Sequence, residues 1–132
     1  MNRIIKFRGK TNDGDWIYGS YVKTRHYANG RDLHKIIRYE VDYADNREDV
    51  IPETVCQFTG LYDKTGKEIY EGDIIVCING SIDGAEWEFK LEIKWSEKRC
   101  GFNTPIFGCD EDRTHYYNVI GNIHDNPELI KN

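Results

Sequence analysis

Apolar and charged residues alternate without a break over residues 87–95, where every odd position is large and apolar and every even position is charged. A strand places all of these apolar side chains on one face, whereas a helix would distribute them around its circumference. The pattern predicts a strand over 87–95 with one buried face. The apolar run 74–78 is expected to be its buried neighbour, across a loop over 79–84.

The first half of the chain carries shorter strand patterns. Apolar runs at 4–8 and 16–22 flank an Asn-Asp-Gly turn at 12–15, which predicts a hairpin. The alternation over 37–43 predicts another strand, with its odd positions buried. The polar stretch 24–35 is expected to be a mobile surface excursion that turns at Asn29-Gly30. Pro52 makes residues 51–54 an edge or a bend, because proline is excluded from strand interiors.

The centre and the C-terminal part continue the strand pattern. A strand is expected over 55–61, followed by an Asp-Lys-Thr-Gly turn at 63–66, and a Gly-Asp step at 72–73 opens the apolar run. Closing strands are expected over 102–107 and 116–123. The one good helix start, Asn126-Pro127-Glu128, leaves room for a single terminal turn, with Asn126 as its N-cap. The pattern therefore predicts an all-β protein of antiparallel strands with at most one short terminal helical turn.

Length and hydropathy limit the class of protein. A chain of 132 residues can bury a core as one cooperative domain. Its longest uncharged apolar run is five residues, far short of the ~20 that span a bilayer, so no membrane association is expected. The N-terminal residues lack the continuous apolar segment of a secretory signal, which favours a cytoplasmic location.

The net charge of −5 conceals an uneven distribution. Residues 1–38 carry nine Lys or Arg and three Asp or Glu, 9 − 3 = +6, and the remainder carries nine and twenty, 9 − 20 = −11. Such a division suits an anionic partner or pairing between copies of the chain. A mixed, solvated surface gives the same count, because a strand directs neighbouring residues to opposite faces.

The cysteines and histidines give no strong metal signal. Cys56, Cys77, Cys100 and Cys109 are widely spaced and are expected to be small buried hydrophobic residues in a reducing cytosol. A Cys100–Cys109 disulfide is sterically conceivable across a hairpin. A zinc site from Cys100, Cys109, His115 and His124 has suitable ligand types but lacks the Cys-x2-Cys spacing. His26 and His34 are interpreted as surface histidines.

Residues suited to catalysis are also scarce. Asp110-Glu111-Asp112 lacks the spacing of a calcium loop, and Glu71 and Asp73 are better explained by the geometry of the Gly72 turn than by acid–base chemistry. None of the three serines has the setting of a nucleophile elbow: Ser20, Ser81 and Ser96. The sequence predicts no catalytic residue, no metal ligand and no cofactor, and hence a non-enzymatic protein.

Nucleic-acid binding is the alternative function. Small β-barrels bind single strands through aromatic stacking beside cationic side chains. The N-terminal third supplies such a candidate patch in Lys6, Arg8, Lys10, Trp16 and Tyr18, and further cations and tyrosines follow at Lys23, Arg25, Arg31, Lys35, Arg38, Tyr21 and Tyr27. A pI of about 5.4 is low for a dedicated nucleic-acid domain, so this hypothesis comes second.

Several segments together resemble the YopX family of phage and prophage proteins. They are Lys6-Phe7-Arg8 with Trp16-Ile17-Tyr18-Gly19, Thr54 to Leu61, Asp63 to Ile75, and Val119 to Leu129 with its Ile-Gly-Asn-Ile and Asn-Pro-Glu-Leu. Two positions depart from the family pattern: Cys56 replaces the usual glycine and His124 the usual tyrosine.

The resemblance implies one domain over 1–132, with N-terminal hairpins and a polar loop in 1–55 and an SH3-like β-barrel formed by 56–132. It also implies a protein of mobile-element origin that lies in the cytoplasm of a bacterial host cell and self-associates. The leading hypothesis is therefore a non-enzymatic, self-associating β protein that binds an unknown host or phage protein. The alternative is a single-stranded nucleic-acid-binding protein that uses the basic N-terminal third.

Overall fold

The computed structural model describes residues 3–39, 46–80, 86–103 and 117–130 of the chain. These residues form eleven antiparallel strands and two three-residue 3-10 turns, Pro52–Thr54 and Pro127–Leu129. The strands are β1 Phe7–Lys10, β2 Trp16–Arg25, β3 Asp32–Arg38, β4 Arg47–Asp49, β5 Cys56–Tyr62, β6 Glu68–Tyr70, β7 Asp73–Gly80, β8 Glu86–Glu92, β9 Trp95–Ser96, β10 Gly101–Phe102 and β11 Tyr117–Asn122. The all-β class is thus confirmed. Neither turn approaches the length or apolarity of a membrane-spanning helix in the described ranges.

The chain divides into two compact units, unit 1 of Met1–Phe58 and unit 2 of Thr59–Asn132. The boundary between the units falls after Phe58. Strand β5 crosses it, so its first residues belong to unit 1 and its last residues to unit 2.

Unit 1 is an antiparallel sheet in the order β4-β3-β2-β1-β5. The predicted β1–β2 hairpin is confirmed, with Lys10 opposite Trp16. One face of the sheet is apolar, because Ile17, Ile36 and Val50 form its buried cluster. Three partly buried side chains pack against that cluster: Phe7, Tyr21 and Val55.

The strand expected over 37–43 is displaced toward the N-terminus. Strand β3 is Asp32–Arg38, and it pairs along β2 from Arg38 opposite Gly19 to Asp32 opposite Arg25. The polar excursion is therefore shorter than predicted. Ile36, opposite Tyr21, is the fully buried residue and Tyr39 is exposed, so the prediction that the odd positions are buried was wrong. Residues 40–43 lie outside the described ranges.

Unit 2 contains the second half of β5 with β6, a three-stranded sheet in the order β11-β7-β8, and the small β9–β10 pair. The predicted pairing of β7 with β8 is confirmed, with Ile75 opposite Leu91. The buried cluster of this unit is Ile69, Ile75, Cys77, Ile93 and Tyr117. These described sheets do not close, and the SH3-like barrel expected for 56–132 is not confirmed.

The strand predicted over 87–95 ends earlier than expected, at Glu92. The cause is Asn103, whose side chain accepts from the Lys94 amide at 2.7 Å and donates to the Glu92 carbonyl at 3.0 Å. The chain then turns, and Trp95 pairs with Phe102 in a separate ladder. Trp95 is consequently 49% exposed, and a single buried face through 95 was the wrong expectation.

The closing elements agree in part with the prediction. Strand β11, Tyr117–Asn122, is confirmed, and β10 covers only the start of the strand expected over 102–107, of which 104–107 lie outside the described ranges. The terminal helical turn is confirmed as Pro127–Leu129. Asn126 does not cap it through its side chain, because that oxygen instead faces the Asn122 amide at 3.4 Å.

Candidate functional site

The five residues of the predicted nucleic-acid patch lie on one face of the β1–β2 hairpin, called the basic face below: Lys6, Arg8, Lys10, Trp16 and Tyr18. In the ladder Arg8 is opposite Tyr18, and Lys10 is opposite Trp16. Because side chains alternate along a strand, Lys6 shares the face of Arg8. The other face of the hairpin contributes to the buried cluster of unit 1.

Cations and aromatic rings are in contact along the basic face. The Arg8 guanidinium carbon lies 4.7 Å from the centre of the Trp16 ring, and the Lys10 ammonium lies 5.8 Å from the same centre. The Lys6 ammonium is 5.6 Å from the Phe58 ring. Arg8 is only 6% exposed, so its guanidinium is a buried partner of the indole. The Trp16 ring is therefore already engaged by cations of its own chain.

Exposed apolar side chains form an accessible part of unit 1. Tyr18 is 42% exposed and Tyr39 54% exposed, and Ile5 is similarly open. Arg38, the last residue of β3, is opposite Gly19 of β2. Tyr39 follows Arg38, so the chain leaves the sheet beside Tyr18, the neighbour of Gly19. We call Tyr18 and Tyr39 the apolar patch.

Hydrogen bonds fix Tyr39 in this patch. Its hydroxyl donates to the Ile5 carbonyl at 3.0 Å and accepts from the Ser20 hydroxyl at 3.2 Å. The phenol thereby links the residues before β1 to strand β2, and its ring is held at the surface. The arrangement is an ordered apolar surface bordered by cations, which is a typical composition for a protein-binding site.

Asp73, one of the two carboxylates weighed for catalysis, is occupied by the backbone. Asp73 is buried, and its carboxylate accepts from the Tyr70 amide at 2.8 Å across Gly72, whose φ is +84°. This confirms the prediction that turn geometry explains Asp73. Such a carboxylate stabilises the turn.

Asp63 is likewise a hydrogen-bond acceptor, and it has several donors. Burial by itself would raise the pKa of Asp63, but hydrogen bonds from Val119, Thr65 and Lys67 outweigh it and lower the pKa from its ordinary value of 3.8. A carboxylate held ionised in this way is a hydrogen-bond acceptor, not an acid catalyst.

The cysteines divide by environment. Cys56 and Cys77 are buried as expected, and burial raises the pKa of the Cys77 thiol to about 11, which makes it unreactive at neutral pH. Cys100 is exposed, contrary to the expectation, because it lies in the β9–β10 turn with a φ of +51°. Cys109 and His115 lie outside the described ranges, as do Ser81 and the acidic cluster 110–112. Among the described residues, no group of three potential metal ligands comes together.

The remaining candidates have local partners. His34 is half-buried, with its Nδ1 atom 2.6 Å from the Tyr21 hydroxyl, so interpreting it as a surface histidine was wrong. The backbone amide of His124 donates to the Asn122 side chain at 2.9 Å. Ser96 accepts from the Arg99 amide at 3.3 Å. None of these contacts places a nucleophile beside a base.

The sequence interpretation missed Tyr39 as a surface residue. Tyr39 was assigned to the buried positions of a strand, because the alternation over 37–43 continues smoothly through it. Ile36 determines which alternate positions of β3 are buried. The polar residues before it obscured this signal in the sequence. Aligning 32–38 against the long strand β2 would have put Tyr39 beyond the ladder and next to Tyr18.

Comparison with known proteins places the chain in a family. The model of the family described as YopX protein matches residues 6–131. Among solved structures, the chain is similar to the crystal structure of protein EF1440 from Enterococcus faecalis, with 25% sequence identity and a TM-score of 0.56 over 98% of this chain and 100% of that chain. No curated protein matches it. The family match spans both units and confirms the resemblance read from the sequence motifs. The chain belongs to the YopX family.

Proposed function

We propose that the protein is a non-enzymatic, self-associating binding module that engages other proteins through the apolar patch of Tyr18 and Tyr39. The supporting observation is the exposure of this patch together with its fixed geometry. Tyrosines held at a surface by hydrogen bonds lose little conformational entropy on binding, and they supply much of the energy in protein interfaces.

Charge supports the same proposal. Lys6 and Lys10 are half-buried cations of the basic face, and the residues after 38 carry an excess of eleven negative charges. A basic region on one copy can meet an acidic region on another, with the apolar patch in the contact. The first proposed partner is a second copy of the chain. The second is a host or phage protein.

Light scattering at several protein concentrations tests self-association. The proposal expects a mass above 15.5 kDa that falls as salt rises, because exposed charge pairs are screened within ~8 Å at physiological ionic strength. A Tyr18→Asp variant is expected to be monomeric. The matched control is Ile120→Asp, which puts a charge at an exposed apolar position of unit 2 and should leave the mass unchanged.

A monomeric wild-type protein at every concentration and at low salt would contradict self-association. Binding to another protein is tested separately, by comparing proteins retained from host-cell extract on wild-type and Tyr18→Asp baits. A protein retained equally by both baits would contradict a role for the apolar patch.

The second candidate function is single-stranded nucleic-acid binding through the basic face. The observation that favours it is that all five patch residues lie on one face of one hairpin. The half-buried Lys6 and Lys10 are the ammonium groups there that phosphates would contact. Arg8 is buried, so its removal would test folding rather than binding.

A Lys6→Ala/Lys10→Ala variant therefore tests this candidate. It should weaken retention of a single-stranded oligonucleotide and reduce its salt dependence. A wild-type protein that shows no binding at low salt removes nucleic acid as a ligand.

A further inference from the structure

The distal end of the β2–β3 hairpin is exposed on both faces. Lys23, Thr24 and Arg25 are consecutive exposed residues, although neighbouring side chains of a strand point to opposite sides. The ladder continues to the pair Arg25 and Asp32, and residues 27–31 beyond it are exposed as well. We call residues 25–32 the arm tip. It is separate in the chain from the basic face and from the apolar patch.

Hydrogen bonds give the arm tip a defined conformation. The His26 amide donates to the Arg31 carbonyl at 2.8 Å, and the Gly30 amide donates back to the His26 carbonyl at 2.9 Å. The Arg31 amide donates to the Asn29 side chain at 2.9 Å. Gly30 has a φ of +68°, a conformation that favours glycine. A preorganised tip loses less conformational entropy on binding than a loop without such bonds.

The arm tip presents one aromatic ring almost completely to solvent. Tyr27 is 97% exposed. Its ring lies parallel to that of His26, with centres 5.5 Å apart and an interplanar angle of 12°. Because Tyr27 is almost fully exposed, the offset His26 ring covers little of it, and the face of the tyrosine is available for a further flat group. A second ring stacking there would extend the existing pair.

Cations flank this ring. Over residues 23–32 the charges are Lys23, Arg25 and Arg31 against Asp32, 3 − 1 = +2. Asp32 is occupied by Lys23 at 3.6 Å. No ion pair involving Arg25 or Arg31 is formed with any residue that the structure describes. Two arginines at the same hairpin end as an open aromatic ring supply the groups that an unpaired base and its phosphates require.

We propose that the arm tip binds single-stranded nucleic acid, with Tyr27 stacking on an unpaired base and Arg25 and Arg31 contacting the phosphates beside it. The inference rests on the second candidate function for its ligand class but assigns the contact to a different site. An acidic peptide would satisfy the two arginines but would make no use of the flat open ring, so nucleic acid is the favoured ligand.

Fluorescence anisotropy of a labelled oligothymidine of twelve nucleotides tests the proposal at low salt and over a salt series. Tyr27→Ala is expected to weaken binding roughly 5- to 150-fold, the range for loss of one stacked base. Arg25→Ala/Arg31→Ala is expected to weaken binding and to lower the slope of log affinity against log salt by roughly 1.4, the value for two phosphates on a single strand. The matched control is Lys64→Ala/Lys67→Ala, which removes two exposed cations from unit 2 and should bind within about twofold of wild type.

Each outcome decides a different question. If Lys6→Ala/Lys10→Ala abolishes binding and the arm-tip variants bind like wild type, the arm tip is not the site, and the second candidate function stands without it. If the wild-type protein does not bind, both fail. If poly-glutamate displaces the oligonucleotide and Tyr27→Ala has no effect, the arginines recognise acidic protein and the stacking proposal is overturned. The substituted arm-tip positions are exposed, and unchanged circular dichroism would show that every variant folds.

Discussion

The two units each contain a five-residue hairpin loop with the same backbone hydrogen bonds. In unit 1 the Thr11 amide donates to the Asp15 carbonyl at 2.9 Å, and the Gly14 amide donates to the Thr11 carbonyl at 3.0 Å. In unit 2 the Asp63 amide donates to the Lys67 carbonyl at 2.8 Å, and the Gly66 amide donates to the Asp63 carbonyl at 3.0 Å. The glycines have φ values of +91° and +87°. This is the arrangement of a turn closed by a glycine bulge.

The loops differ in what their first side chain does. Thr11 accepts one hydrogen bond, from the Asp15 amide at 3.2 Å. Asp63 accepts from the Thr65 amide and hydroxyl at 2.8 and 2.7 Å, from the Lys67 amide at 2.9 Å, and from the Val119 amide of β11 at 3.0 Å. The backbone of such a loop is thus set by its glycine and its ladder bonds. A charged first residue adds a hydrogen bond from a strand residue 56 positions away.

Replacing Asp63 by Thr gives the unit 2 loop the first residue of the unit 1 loop, and this substitution should have the largest effect on stability. Thr cannot accept all four donors, and buried amides left without acceptors are costly, so unfolding in urea should show a loss of about 3 kcal/mol. Thr11→Val is the matched change in unit 1, and it removes one neutral bond at a cost of about 1 kcal/mol.

Hydrogen exchange gives a local check of the same comparison. The Val119 amide should exchange faster in Asp63→Thr than in wild type. Two results together would contradict a stabilising hydrogen bond between Asp63 and Val119. They are equal stability of Asp63→Thr and Thr11→Val, and unchanged hydrogen-exchange protection of the Val119 amide.

Gly14→Ala and Gly66→Ala test the feature that the loops share. A Cβ at either glycine would meet no atom within 4 Å, so the cost comes from the positive φ alone. Each change should therefore destabilise by about 1 kcal/mol, and by nearly equal amounts. Thermal unfolding of the two variants measures this. A difference between them larger than the cost itself would mean that the surrounding strands, rather than the glycine, determine the loop.

Local sequence signals predicted the loops and most strands, since a Gly-containing turn between apolar runs needs only neighbouring residues. They did not predict that Asp63 binds the Val119 amide, because that contact joins residues far apart in the chain. The end of β8 at Glu92 was missed for the same reason. The alternation continues to Trp95, but the side chain of the distant Asn103 binds the Glu92 carbonyl. The basic face was predicted in composition, but the burial of Arg8 depends on packing that no periodicity shows.

The candidate sites divide in the same way. Lys6, Lys10 and Tyr18 could be named from the pattern of β1 and β2, because a tight hairpin fixes their register. The role of Tyr39 depends on where β3 ends, and the exposure of Tyr27 depends on how far the β2–β3 ladder extends before its turn. Both depend on the length of the β2–β3 ladder. The largely polar sequence over 32–35 gave only a weak indication that these residues form a strand.

Acid should reveal the smallest difference between the loops. The pKa of Asp63 is below its ordinary value of 3.8 in the folded protein, so its stabilising contribution is fully present above 3.8 and is lost as the pH falls through the folded value. Thr11 does not titrate, so its loop contributes no such dependence. The free energy of unfolding of wild type and of Asp63→Asn should therefore differ by a constant amount between pH 7 and pH 5. Below about pH 3.8 the difference should shrink, by less than about 1.4 kcal/mol per pH unit, the limit for one proton. Urea unfolding across this range measures it, and a difference that grew on acidification would show that the Asp63 carboxylate is not stabilised by its hydrogen bonds.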